Sequence, residues 1–155
     1  MNTKSNRLAK RPRNLVCMLI VSMLTACQSS EEGSEKAASE SVFELSSTSK
    51  NQHFIVTVGT EEHEQPPIGR FHNWLVTITD AQFRPVYPVI ISIGGGMPSH
   101  GHGLPTQPQI TEYLGKGVYR LEGVKFNMSG AWAIKFRIAT QQLQDTVEFD
   151  FNVSH

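Results

Sequence analysis

Met97-Pro98-Ser99-His100-Gly101-His102-Gly103 gathers a thioether and two imidazoles within seven residues. Histidines two apart in an extended segment share a side, with Cα atoms roughly 6.5 Å apart, close enough for both rings to reach one ion. Met97 adds a soft sulfur three residues before His100, and Met128, in Asn127-Met128-Ser129-Gly130, is a candidate for a second. Imidazole accepts copper in either oxidation state and thioether favours Cu(I), so the set points to copper. Gly101 and Gly103 let the backbone wrap an ion without Cβ clashes. The competing reading is structural. The glycines supply positive φ in a long loop, the methionines plug the core beneath it, and the histidines cap backbone carbonyls.

Other candidates are weaker. His72 opens a strand and is read as a strand-end surface residue or an additional ligand, and Glu61-Glu62-His63-Glu64 reads as a solvated acidic loop. His53 and His155 read as exposed. Ser99 adjoins His100, but neighbours in sequence seldom make a nucleophile–base pair, and no orienting acid is evident. Asp145, Glu148 and Asp150 read as ordinary polar residues of the last strand. Gly94 to Gly96 followed by Met-Pro is not a phosphate-cradling motif. The chain is therefore expected to be no enzyme.

The ends of the chain set the compartment. Lys4, Arg7, Lys10, Arg11 and Arg13 precede an apolar run from Leu15 to Cys27. A basic start, a short apolar middle and small residues at the end make a secretory signal, and the run falls short of the roughly 20 residues a membrane span needs. Leu24-Thr25-Ala26-Cys27 resembles a bacterial lipobox, which implies a signal peptide over 1–26 and lipidation of Cys27. Cleavage there leaves 129 residues, with nine basic against 14 acidic side chains and a formal charge of −5. That balance argues against a nucleic-acid partner. With Cys27 blocked by lipid no thiol remains for a disulfide, a zinc site or a nucleophile. The expected partners are a membrane, through the lipid, and an envelope protein. Gln28 in place of Asp after the cysteine points to the outer membrane facing the periplasm, in a host that has two membranes.

These groups need a scaffold. Residues 28–50 are rich in Ser and Glu and read as a flexible tether, 27–50 with its lipidated cysteine. Val42, Phe43 and Leu45 are its one apolar cluster, suited to transient packing on the domain or to a short edge strand. From Asn51 to His155 the period is two. Trp74, Val76 and Ile78 alternate with Leu75, Thr77 and Thr79, Trp132, Ile134, Phe136 and Ile138 share a face opposite Lys135 and Arg137, and Val147, Phe149, Phe151 and Val153 alternate with Glu148, Asp150 and Asn152. These are half-buried antiparallel strands. Weaker strands are expected at His53–Val58, Val86–Ile93, Ile110–Leu114 and Gly117–Leu121, with turns at 80–85, 94–108, 115–117 and 127–130. About seven short strands in this length predict an all-β, immunoglobulin-like antiparallel sandwich, with Trp74 and Trp132 in the core, one from each sheet.

With the strands placed, "HNWLVTITDAQFRPV", "GGGMPSHGHGLPTQPQIT", "GKGVYRLEGVKFNMSGAW" and "DTVEFDFNV" together resemble the YtkA-like domain family, related to the FixH-like proteins. The resemblance implies a small extracytoplasmic β-sandwich over 51–155, carried on a lipoprotein. FixH-like relatives are associated with assembly of copper-containing respiratory oxidases, so it also implies copper handling, although this chain lacks their membrane helix. A fold alone does not assign a function. The reading is a lipid-anchored domain that binds copper through Met97, His100 and His102, with Met128 as a further donor, for delivery or buffering. The alternative is an interaction module that uses the loop as a docking surface.

Overall fold

The structure, a computed structural model, describes residues 42–154. The expected signal peptide, Cys27, most of the expected tether and His155 lie outside the described residues. Among the described residues there are nine strands: β1 (Glu44–Thr48), β2 (Phe54–Thr60), β3 (His72–Asp80), β4 (Ile90–Met97), β5 (His102–Gly103), β6 (Gln109–Gly115), β7 (Val118–Val124), β8 (Gly130–Ala139) and β9 (Gln144–Val153). They form two antiparallel sheets, ordered β1-β2-β3-β7-β6 and β5-β4-β8-β9. No helix among the described residues is long and apolar enough to cross a membrane.

The alternating segments are the centre of the sandwich. Trp74, Val76 and Ile78 from β3 are fully buried, and Trp132, Ile134, Phe136 and Ile138 from β8 face them with Val147, Phe149, Phe151 and Val153 from β9. Trp74 and Trp132 do come from opposite sheets. Phe126 sits between them, its ring centre 5.0 Å from Trp132 and 6.1 Å from Trp74. Each buried aromatic removes a large apolar area from water, so this cluster dominates the stability of that end of the domain.

Two boundaries differ from expectation. The folded body begins before Asn51, because β1 pairs along its length with β2 and Phe43 packs 5.3 Å from Trp74 and 5.4 Å from Phe151. The apolar cluster at 42–45 thus recruits the end of the predicted tether as an edge strand. Gly94 to Met97, expected to begin a loop, instead continue β4, since Gly94, Gly95 and Gly96 pair with Lys135, Ile134 and Ala133. Glycines with no side chain to pack carry little strand signal, and only the partner strand reveals the pairing.

The hydroxyl of Tyr119 donates to the carbonyl of Val86 at 2.6 Å, tying β7 to the chain that leads into β4. Burial, followed by the neighbouring Tyr113 and Tyr87, pushes the phenol up to about 12. A raised folded-state value means the native state holds its proton longer. Tyr119's contribution is therefore complete below the ordinary tyrosine value and falls away as pH rises from there through about 12. Tyr119→Phe should cost about 1–2 kcal/mol in urea unfolding at pH 7 and should flatten the alkaline fall in stability.

Candidate functional site

The glycine–histidine segment is built by the end of β4. Met97 leads into a short 3-10 turn, Pro98–His100, and Gly101 closes it at φ 68, its N–H donating to the carbonyls of Met97 at 3.1 Å and Pro98 at 3.2 Å. β5 then returns along β4, pairing Met97 with His102 and Gly96 with Gly103. The two histidines are therefore not neighbours along an extended run. A left-handed glycine between them turns the chain, and this turn brings the rings together, with centres 5.7 Å apart and planes at 55°. An imidazole nitrogen lies about 2 Å from a bound ion, so two rings on one ion have centres at most about 6.5 Å apart. The observed spacing is within that reach.

Both histidines are exposed. Among the described residues neither ring makes a hydrogen bond, so the carbonyl capping expected of purely structural histidines does not occur there. The methionines separate. Met97 is 2 % exposed and belongs to the hydrophobic core, with its Cε against Gly130 at the start of β8. Met97 is the cross-strand partner of His102, but its own side chain is packed in the core. Met128 is 38 % exposed in the connection to β8, and its carbonyl accepts the Trp132 Nε1–H at 3.1 Å. Among the described residues no three His, Cys, Asp or Glu side chains stand together in a metal-holding group. The pair His100–His102 is what the fold assembles.

His72 is not a surface residue. Only 8 % of it is exposed, its ring lies 5.4 Å from Phe126, and Nδ1 is 3.3 Å from the carbonyl of Arg70. Burial lowers its pKa, which the Arg70 contact and the charge of Glu62 only partly offset. Its Nε2 and the Nε1 of Trp74 are both buried without a hydrogen-bond partner among the described residues. His72 is thus a neutral core histidine. His63 is exposed as expected, whereas His53 is half-buried and places Nδ1 3.6 Å from Asp145. Glu61 is not part of a free acidic loop, because it binds the guanidinium of Arg120 at 2.9 Å. Together with Glu112 it holds the Arg120 pKa above its ordinary value.

Sequence reasoning missed Asp145 and Glu148. Asp145 is buried, and its carboxylate accepts the Ser49 hydroxyl at 2.6 Å, the Asn51 side-chain amide at 3.0 Å and the backbone N–H groups of Asn51 and Thr146. The signal was present, since Asp145 shares the inward parity of Val147 and Phe149. Glu148 does face outward, but it lines the same hollow of about 270 Å3 as His102 and Gly101.

The YtkA-like family model matches residues 56–137, more than half of the chain, from within β2 to within β8. The chain belongs to the YtkA-like family. This YtkA-like sandwich carries the whole glycine–histidine loop inside the matched region, whereas β1 and β9, with Asp145 and Glu148, lie outside it. No curated protein and no solved structure matches the chain.

Proposed function

We propose that this YtkA-like protein is an extracytoplasmic lipoprotein, anchored through Cys27 and without catalytic activity, that binds copper at His100 and His102 for delivery or buffering. The observation that supports the reading is the pair of uncapped imidazoles, 5.7 Å apart on an exposed loop. The buried thioether of Met97, across from His102, and the exposed Met128 are the available soft donors. Two imidazoles with a thioether suit copper better than the harder cations, and a loop open to solvent suits an ion that must be passed on.

The test uses the full chain with Cys17 and Cys27 replaced by serine, so that no thiol competes for metal. Titration with copper against a competing chelator should show one ion bound per chain. His100→Ala/His102→Ala should weaken that binding about 100-fold or more while leaving the circular dichroism unchanged, because neither ring supports the core. Equal uptake by both proteins would remove the proposal. Met97→Leu should preserve the fold, being close to volume-conserving, and should weaken Cu(I) more than Cu(II).

A further inference from the structure

The antiparallel registers gather one set of strand ends. Glu44 pairs with Gly59, Thr60 with Trp74 and His72 with Val124 in the first sheet, and Gly96 with Ala133 and Gly130 with Val153 in the second. Phe43 against Phe151 and Phe126 against Trp132 join the same ends of the two sheets. The chain enters the described sandwich at this end, through Val42, and the histidine turn after β4 stands there too.

Three apolar side chains remain in water at this end. Val42 is 60 % exposed and Phe71 67 %, and Met128 is partly so. Lys125 extends over Phe71, with Nζ 5.3 Å from the ring centre. Beside them is a hollow of about 270 Å3 whose lining includes Glu62, Glu64, Arg70 and Phe71. Among the described residues none of Glu62, Glu64, Arg70 and Lys125 is ion-paired. Charges of both signs around an exposed phenyl ring match a surface that is zwitterionic outside and apolar within.

Resting on the reading of Cys27 as the lipidated residue, we infer that this end of the domain docks on a bilayer of zwitterionic phospholipid, with Phe71 entering the headgroup layer. Aromatic rings are favoured at that depth, and Lys125 covers the ring with its stem while its ammonium stays among the phosphates. Arg70 also meets phosphate, and Glu62 and Glu64 meet the headgroup cations. The opposite end exposes Phe83, Tyr87 and Ile90, so apolar exposure alone does not choose between the ends. The tether does. Cys27 to Ser41 is 15 residues. A coil of that length spans about 20 Å, whereas a strand of ten residues such as β9 is about 33 Å long. The near end therefore reaches the bilayer with the tether relaxed, and the far end does so only with the tether drawn out along the domain. Anchoring also raises the effective concentration of the near end, so a contact too weak to bind the free protein suffices to orient the anchored one. In that orientation the His100–His102 turn lies beside the membrane.

The experiment couples the mature chain, Cys27 to His155, through its single thiol to a maleimide lipid in nanodiscs of phosphatidylcholine and phosphatidylethanolamine. A nitroxide on the lipid headgroup then reports proximity by loss of backbone amide signals. Signals of Gly69, Phe71 and Lys125 should be lost, while those of Phe83, Lys116 and Gln141 at the opposite end should persist. Phe71→Asp should restore the lost signals, and the exposed position of Phe71 lets that variant fold, which circular dichroism checks. Phe83→Asp should change nothing. Loss at both ends alike, or loss unaltered in Phe71→Asp, would overturn the docking and leave the anchor standing. Broadening of the same signals with rising concentration of the uncoupled chain, without lipid, would assign this end to a second copy and also overturn it. Mass spectrometry showing Cys27 without lipid in protein from its own envelope would overturn the anchor, and the docking with it.

Discussion

Gly95→Ala is expected to cost about 4 kcal/mol or more, measured as a lowered midpoint in urea unfolding. Gly95 lies in β4 between β8 and the returning loop, at φ 142. That conformation is open to glycine and strongly disfavoured for L residues with a side chain. A Cβ there would also stand 2.9 Å from Ile134 Cα and closer still to the carbonyl oxygen of Ala133. Neither obstacle is the flexible end of a side chain, so the strands have to part. Parting them releases the β4–β5 pairing and the Leu104 N–H bond to Gly95, and the copper binding proposed for this loop should fall with stability. Gly94→Ala is the control. Its Cβ would meet nothing within 4 Å and its φ is not positive, so its effect should stay within about 0.5 kcal/mol. Gly101 also has open space around it but sits at φ 68. Gly101→Ala should therefore cost about 1–2 kcal/mol, the left-handed penalty alone. A uniform response of the three positions would show that composition, not strand contact, sets the glycine requirement.

Asp145→Asn is the second large effect, expected at about 3 kcal/mol. The carboxylate accepts hydrogen bonds from Ser49, from Asn51 twice over and from Thr146. These hold the turn after β1 against the start of β9, beside the bond from the Lys50 N–H to the carbonyl of Thr146. An amide in its place brings an N–H2 group toward donors and loses the charge that strengthens each bond. Burial by itself would raise the pKa of Asp145, but the Ser49 hydroxyl and the backbone N–H groups of Thr146, Asn51 and His53 outweigh it and leave the value lowered. A folded-state value below the unfolded one means that the native state binds fewer protons. The contribution is then present above the ordinary aspartate value and is lost as pH falls through the lowered one. The parent should lose stability steeply below about pH 4, and Asp145→Asn should lose part of that slope. An identical acid limb in both proteins would show that another carboxylate is responsible.

The strands that form the centre were legible because each carries a clean alternation. Trp74-Val76-Ile78, Trp132-Ile134-Phe136 and Val147-Phe149-Phe151 each bury one side, and the opposite side is mostly half-buried in β3 and largely exposed in β8 and β9. Edges were harder. β1 holds a single apolar residue, Leu45, between Glu44 and Ser46, and β4 has three glycines before its last residue, Met97, so their pairing is decided by neighbours and not by their own side chains. Asp145 is instructive because period-two counting puts it on the inner face. A charged residue at that parity is credible only once Ser49 and Asn51, more than ninety positions away, are seen to satisfy it.

The loop divides in the same way. Residue types alone singled out His100 and His102 as candidate ligands and the glycines as residues free to take positive φ, because imidazole chemistry and positive φ are local properties, but the turn at Gly101 that brings the rings together replaces the extended run expected there. Folding decided the rest: that Met97 turns into the core while His102 stays in water, that His72 is buried against Phe126, and that Glu148 comes to line the hollow beside His102. A side chain's chemistry is written where it stands in the chain, but its surroundings come from strands distant in sequence, and only their register sets which groups meet.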